Sequence, residues 1–332
     1  MSVVMAVYNE ERFVCQAISS IVDQTFTDWE FIIINDNSKD ATSEILSQYS
    51  KNPKIRIIAH KQNKGLASSL NEGIDASYGK FIARMDGDDV SLPQRLERQV
   101  EYLLRHPNCA VVGTGTIYID EDGNKLFKMI PPNNDSVLKR ILESRSPFTH
   151  GSLMFNKKIL IERGSYDSRL RGCEDYELLL RLSEKHEIAS IDEKLFCWRK
   201  TIRGESNLKR RDLKERTTLA RRVFVAKRQL DTKLLTELYN LFDEHYKKTS
   251  VMSKPSNEIL KYYYAKSLVL SCIKYGVKRD KMQRYLWFME EKGGKLSFIL
   301  KMFSYIPVQV RKFITIIFGN LTRNDKGIRA YE

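Results

Sequence analysis

The stretch "FIARMDGDDVSLP", residues 81–93, runs an apolar, strand-like segment directly into three carboxylates, Asp86, Asp88 and Asp89, set around one glycine. Like charges crowded into a turn repel one another, so the pattern raises the question of what offsets them. The same arrangement recurs upstream. Ser2–Val7, "EFIIIN" (30–35) and Ile55–Ala59 are short apolar runs, and residues 13–22, 42–49 and 66–76 between them have helical spacing. Runs that are apolar at nearly every position, alternating with amphipathic helices, are what a parallel sheet buried on both faces requires. The expectation is an α/β, doubly wound fold with a mostly parallel sheet. In such sheets ligands bind beyond the carboxyl ends of the strands. Here each run ends in polar residues, Tyr8-Asn9-Glu10, Asp36-Asn37-Ser38 and Asp86-Gly87-Asp88, so three separate stretches converge on one rim.

Past Pro93 the spacing predicts a helix over Arg95–Arg105 and then a β-rich stretch, 110–128, whose "DEDGN" carries the Asp-Gly signal of a hairpin turn. The acidic residues of that turn, Asp120 and Asp122, do not have the spacing of an EF-hand. From about residue 208 the pattern is helical, punctuated by Pro255, Gly276, Gly293-Gly294 and Pro307. A boundary near residue 205 therefore divides the chain into a catalytic-type α/β domain, 1–205, with halves 1–109 and 110–205, and a basic, mostly helical region, 206–332.

The 332 residues, 42% of them hydrophobic, are enough for a packed core and for about two domains. Five cysteines, widely spaced and without a CxxC pair, suggest neither a zinc site nor a disulfide framework. The first apolar run is broken by Asn9-Glu10-Glu11-Arg12, unlike a signal peptide, and no segment has the ~20 uninterrupted apolar residues of a membrane span. A cytoplasmic protein is expected. The net charge of +14 hides an asymmetry: residues 1–198 carry 25 Lys+Arg against 29 Asp+Glu, and residues 199–332 carry 31 against 13. Such a tail suits an anionic partner, lipid head groups or nucleic acid, or else forms solvated basic helices.

Two aspartates one residue apart in a turn can aim oxygens at one point, and a divalent cation makes that favourable. Hard oxygen ligands favour Mg2+ or Mn2+ over zinc. Two carboxylates do not complete an octahedron, and Mg2+ takes its remaining ligands from waters and phosphates, so a nucleotide diphosphate is the natural third party. The competing reading is a polar turn in which Asp89 or Ser91 caps the next helix.

The segments "SVVMAVYNEE", "QTFTDWEFIIINDNSKDAT", "NKGLASSLNEGIDASYGKFIARMDGDD" and "PQRLERQV", in this order and spacing, resemble the nucleotide-sugar-binding domain of the family 2 inverting glycosyltransferases, of the bacterial surface-polysaccharide type, which share the GT-A fold. The resemblance covers residues 1 to about 200. It implies that Asp36 hydrogen-bonds the uracil imide of a UDP-sugar, with the backbone around Ala6 and Tyr8 framing the base. An acceptor-only carboxylate suits an imide N–H and discriminates against cytosine; the alternative for Asp36 is a turn or helix cap. Lys64 and Asn71 fall where the family lines the base and diphosphate. Asp86 would contact the ribose or reach the metal through water, Asp88 would bind the metal directly, and Asp89 would orient its neighbours.

In "LRGCEDYELLLRL", Glu174 and Asp175 open a helix, and the segment resembles the family's "ED" motif. This implies Asp175 as the general base for an acceptor hydroxyl, with Glu174 binding or tuning; the plainer reading is that both acids favour the positive end of the helix dipole. His150, in "SPFTHGSLMF", matches a histidine near the site in relatives, and a structural hydrogen bond is its other reading. One departure stands out: relatives carry "YRxH", whereas this chain reads "CWRKTIRGES", with Thr201 at the histidine's place. Arg199, Lys200 or Arg203 would neutralise the leaving group instead, and 199–210 suits a loop closing over diphosphate.

The implied activity is metal-dependent, inverting transfer of a sugar to a glycan or lipid-linked oligosaccharide. Two other classes compete. A nucleotidyltransferase would need a glycine-rich, arginine-containing loop after the first strand, which is missing, and a nucleic-acid-binding protein would not explain the acidic rim. Residues 295–318, "KLSFILKMFSYIPVQVRKFITIIF", mix large apolar side chains with Lys301, Arg311 and Lys312, as an interfacial segment does; packing within the C-terminal region explains them equally well. If this segment holds the protein at the inner face of the cytoplasmic membrane, it floats with anionic vesicles and is released by salt; absence of salt-sensitive flotation removes the membrane reading.

Overall fold

A computed structural model describes residues 1–201 and 210–251 of the chain, with side chains at 210–214 and 245–251 left out of account. Its first half is the expected alternation: β1 (Ser2–Val7), α1 (Val14–Val22), β2 (Glu30–Asn35), α2 (Thr42–Ser47), β3 (Ile55–Ala59), α3 (Leu66–Asp75) and β4 (Phe81–Asp86). The four strands pair in parallel in the order β3-β2-β1-β4. The side chains of β1 alternate between two cores. Val3, Met5 and Val7 pack with Val14, Ala17, Ile18 and Ile21 of α1 on one face, and Val4 packs with Ala67, Leu70 and Ile74 of α3 on the other. Both faces are covered, which is why every position of "FIII" in β2 is buried.

The second half reverses direction. β5 (Val90–Ser91), α4 (Arg95–Arg105), β6 (Cys109–Ile119), β7 (Lys125–Met129), α5 (Asp135–Leu142), β8 (Met154–Asn156), α6 (Lys157–Glu162), α7 (Glu174–Lys185) and β9 (Glu187–Arg199) follow. β8 inserts antiparallel between β4 and β6, and β9 pairs antiparallel with β5. The sheet is therefore parallel where it was predicted from continuous apolar runs and antiparallel beyond β4.

The chain divides into two compact units. The first holds Met1–Ile117, Met129–Arg199 and two further helices, α8 (Arg210–Gln229) and α9 (Thr232–Val251). It thus continues past the boundary expected near residue 205. Ala220, Val223, Ala226, Leu238 and Phe242 join the same core as Leu178, Leu179 and Leu182 of α7. Of the second unit the described residues are Tyr118–Lys128, Lys200 and Thr201. There Tyr118 stacks on Phe127 at 4.1 Å. The Oδ1 of Asp120 accepts from the N–H groups of Asp122 and Asn124, so the acidic cluster is the hairpin turn predicted. Among the described residues no helix is long and apolar enough to cross a membrane. The interfacial stretch 295–318 lies outside the described residues.

A polar network fastens α8 and α9 to the α6–α7 loop. Asp167 accepts from Lys227 Nζ (2.8 Å), Tyr239 Oη (2.6 Å) and Arg169 Nε (3.0 Å), and Lys227 also reaches Glu177 at 2.8 Å. Burial opposes ionisation of Asp167, yet these donors outweigh it and hold its carboxyl well below the usual range. A depressed carboxyl contributes stability that is complete above its unfolded pKa and lost as pH falls toward the folded one. Asp167→Asn is expected to lose about 2–4 kcal/mol in urea unfolding at pH 7, and to lack the part of the wild-type decline that sets in below about pH 4.

Candidate active site

The parallel register builds the rim. Val7 lies opposite Asn35, Asn35 opposite Ala59, and Ala6 opposite Asp86. The next residues along, Tyr8, Asp36, His60 and Gly87, consequently leave the sheet at one edge. The Asp36 N–H donates to the Val7 carbonyl and the His60 N–H to that of Asn35, both at 2.9 Å. The loops after β1 and β2 are laced together: Asn9 accepts from the Lys39 N–H at 2.7 Å and Thr42 from the Glu10 N–H at 2.8 Å. Tyr8, 47% exposed, stands free above this edge.

Asp36 is buried and heavily engaged. Its Oδ1 accepts from His60 Nδ1 (2.7 Å) and the Lys64 N–H (2.8 Å), and its Oδ2 from the Gly65 N–H (2.8 Å). Burial opposes its charge, but the N–H groups of Lys64 and Gly65 and the imidazole outweigh burial and lower its pKa. The Lys64 side chain turns to Glu72, 2.8 Å away.

At the end of β4 the carboxylates crowd. An added Cβ on Gly87 would meet Glu10 Cγ at 3.1 Å and Val7 Cγ1 at 2.8 Å, so the side chain of Glu10 lies over the Asp-Gly-Asp turn. Burial, then the charges of Asp88, Asp86 and Asp40, push the Glu10 carboxyl up to about 9. Burial and Asp86 push Asp88 up to about 7, with Arg84 and Arg199 resisting. Asp89, fully buried, is raised well above the carboxylate range by burial, Asp88 and Asp86. Its Oδ1 accepts from the Arg199 N–H at 2.7 Å, while its Oδ2 has no hydrogen-bond partner among the described residues. Beneath them Arg84, 2% exposed, forms an ion pair with Asp86. Burial disfavours its charge, but Asp86 and Asp89 more than offset that and raise its pKa.

The ED segment feels the same centre. Asp175, in the first turn of α7, has its pKa raised by burial; the Tyr176 N–H and Arg84 resist, and Asp86 adds to the rise. Glu174 is buried and accepts from the Gly172 N–H at 2.5 Å, so it shapes the turn that presents Asp175. His150 bonds Tyr166 Oη at 2.8 Å, and desolvation with the Arg84 charge lowers its pKa well below the usual value, leaving a neutral ring. Asn71 exchanges two hydrogen bonds with the Tyr166 backbone, at 2.9 and 3.0 Å, tying α3 to this loop.

Arg199 ends β9 as a buried strut. Its Nε donates to the Asp88 carbonyl (2.8 Å), its Nη2 to Gln16 (2.6 Å), and its guanidinium lies 4.7 Å from the Phe13 ring centroid. Lys200, also buried, belongs to the second unit, where its N–H bonds the Ile119 carbonyl at 2.9 Å. Arg203 and the rest of the anticipated closing loop, 202–209, lie outside the described residues.

The donor set suits a hard divalent cation. Glu10, Asp86, Asp88 and Asp89 bring only oxygen ligands, and both Asp88 and Glu10 favour their protonated forms when nothing else relieves the crowding. Among the described residues no group of three or more acidic, histidine or cysteine side chains is placed to hold a metal ion, so an ion there would draw most of its ligands from substrate or water.

The family model described as glycosyl transferase family 2 matches residues 2–165. EpsE of Bacillus subtilis is 39% identical over 189 residues, 56% of this chain and 67% of that protein. WbnJ, an O-antigen biosynthesis glycosyltransferase of Escherichia coli, is 35% identical over 55% of this chain and 71% of its own length. The chain belongs to glycosyl transferase family 2. AmsE, an amylovoran biosynthesis glycosyltransferase of Erwinia amylovora, is 30% identical over 58% of this transferase and 74% of itself. Among solved structures, S. aureus TarS 1–349 in complex with UDP superposes with a TM-score of 0.55 at 15% identity, covering 100% of this chain and 94% of that one. The mannosyltransferase PcManGT of Pyrobaculum calidifontis, in complex with GDP-Man and Mn2+, gives 0.50 at 15% identity over 98% and 87%. These structural likenesses establish the GT-A fold, and the glycosyltransferase class displaces the nucleotidyltransferase reading.

Several site residues escaped the sequence reading: Arg84, His60, Glu72, Tyr166 and Gly151. Arg84 had a visible signal, a charged residue inside an apolar strand; the others had none, because their roles arise from contacts between distant segments. Gly151 is the clearest. A Cβ there would lie 2.7 Å from Asp86 Oδ2, 2.6 Å from Phe196 Cζ and 3.1 Å from Asp89 Oδ2. Gly151→Ala is expected to displace Asp86, lowering transferase turnover by more than about tenfold while costing about 1–3 kcal/mol in chemical unfolding. Unchanged turnover would show that Asp86 needs no fixed position.

Proposed function

We propose that this transferase moves a sugar, with inversion, from a UDP-sugar to a hydroxyl of a glycan or lipid-linked oligosaccharide in surface-polysaccharide assembly. The observation that carries the reading is the gathering of Asp86, Asp88 and Asp175 around the buried guanidinium of Arg84. In this reading residues 1–109 bind the nucleotide, with Ala6, Tyr8, Asp36, Lys64 and Asn71 framing base and diphosphate, and residues 110–205 bind the acceptor. Asp88, with Asp86, would hold Mn2+ or Mg2+, which when bound offsets the charge of the diphosphate.

Asp175 takes the proton of the acceptor hydroxyl as that oxygen bonds to the anomeric carbon. The bond from that carbon to the diphosphate oxygen breaks on the opposite face, and the nucleoside diphosphate leaves with the electron pair. A carboxylate made more basic by burial suits this work, because the base must compete for an alcohol proton. Glu174 holds the turn, neutral His150 bonds Tyr166, and Arg199 braces the Asp88–Asp89 turn. The names of the relatives WbnJ and AmsE, in O-antigen and amylovoran biosynthesis, support a polysaccharide acceptor. The titles of the neighbours, with UDP in TarS and GDP-Man with Mn2+ in PcManGT, support a nucleotide-sugar donor and a divalent ion. The basic C-terminal region would hold the enzyme at an anionic membrane surface, where a lipid-linked acceptor resides.

A panel of UDP-, GDP- and dTDP-sugars with and without Mn2+, read by thermal stabilisation and donor hydrolysis, tests the donor and the ion. Asp175→Asn is expected to lower kcat by about 10²–10⁴-fold while leaving UDP binding within about twofold. An active Asp175→Asn enzyme would place the base elsewhere.

A further inference from the structure

We infer that His60 sets the base specificity of the donor pocket: it fills an acceptor position on Asp36 and so leaves that carboxylate a single open one, matched to the lone ring N–H of uracil. The inference rests on the reading that Asp36 faces the base of the donor.

An ionised carboxylate offers about four acceptor positions, two on each oxygen. Oδ1 of Asp36 has both filled, by His60 Nδ1 at 2.7 Å and the Lys64 N–H at 2.8 Å, and Oδ2 has one filled, by the Gly65 N–H at 2.8 Å. One position remains, on Oδ2. The Asp36 side chain is only 5% exposed, so the carboxylate has room for one more partner and no alternative face to offer.

His60 cannot turn away. Its ring is 2% exposed and its Nε2 lies 2.9 Å from Glu72 Oε2, which Lys64 Nζ also holds at 2.8 Å. An ionised carboxylate only accepts, so the ring nitrogen that meets Asp36, Nδ1, is the one that donates to it. The lowered pKa values of Asp36 and Glu72 agree with carboxylates that stay ionised in this clamp.

The bases differ in what they bring to such a site. Uracil presents one ring N–H between two carbonyls, which one acceptor satisfies. Guanine presents two adjacent donors, the ring N–H and the exocyclic amine, which match two acceptor positions side by side; here one donor would be stranded against the imidazole-occupied oxygen. Cytosine presents a ring acceptor, which faces the carboxylate without a proton to share. The same aspartate without His60 would accept both guanine donors.

Calorimetric titration of UDP, GDP and CDP, each with Mn2+, into the full chain and its His60→Ala variant tests this. The wild type is expected to bind UDP at least about tenfold more tightly than GDP or CDP. His60→Ala is expected to weaken UDP and to narrow the UDP-to-GDP ratio by about tenfold, with CDP still rejected, because Asp36 still lacks a proton to donate. Weakening of all three nucleotides by one factor would assign His60 a structural role only and overturn the inference. Wild-type preference for GDP, with sugar transfer intact, would overturn it and leave the transferase reading standing. Absence of binding by any nucleotide would overturn both. Should His60→Ala fail to fold, Glu72→Leu, at a partly exposed position, removes the oxygen on the far side of the imidazole and is expected to narrow the same ratio less; an unchanged ratio would overturn the clamp.

Discussion

Four carboxyl groups gather at the end of β4 over the buried Arg84, and that electrostatic arrangement organises the rest of the site. Arg84 is enclosed within the sheet and pairs with Asp86, so one aspartate of the Asp-Gly-Asp turn is directed inward. Asp88 lies in the same crowd, and its elevated pKa reflects what the crowding costs when only protons relieve it. The charge of Arg84 also reaches Asp175 and His150, in two segments far downstream in the chain. A buried guanidinium is costly unless its charge is answered, and here every answering group belongs to the candidate chemistry.

The geometry around that centre follows from register. Parallel pairing places the ends of β1, β2, β3 and β4 side by side, so residues that follow the last apolar position of each strand meet without any long-range search. The two ends of the rim then diverge in character. Around Asp36, backbone N–H groups and an imidazole fill three acceptor positions of a carboxylate and keep it ionised. Around Asp88, carboxylates face carboxylates. One end of the rim keeps a carboxylate acceptor position open, and the other concentrates negative charge.

The Glu174–Asp175 segment depends on support from behind. Helix α7 carries Asp175 on a turn shaped by Glu174, and Arg216 of α8 donates to the Arg171 carbonyl in that same turn at 3.1 Å. Asp167, Lys227 and Tyr239 fasten the preceding loop to α8 and α9. Tyr166, one residue before Asp167, bonds both His150 and Asn71, so the brace ends inside the site. The helices beyond residue 209 are therefore part of what holds the candidate base in place.

The sequence by itself determined the alternation of buried strands and amphipathic helices, the hairpin at residues 120–124 and the convergence of Tyr8, Asp36 and Asp86 on one rim. Those features are local: an uninterrupted apolar run must be covered on both faces, and a strand end must release its polar residues at the edge. It did not reveal that β8 enters antiparallel beside β4, that α8 and α9 join the first compact unit, or that His60 and Arg84 hold the two key aspartates. Each of these depends on which distant segments meet, and a single charged residue in a strand carries no mark of the carboxylate that answers it. Burial was the deciding quantity, because it turns an arginine into an anchor, raises Asp175 above an ordinary aspartate and leaves Asp36 one open lone pair. Only the folded chain sets that burial, residue by residue.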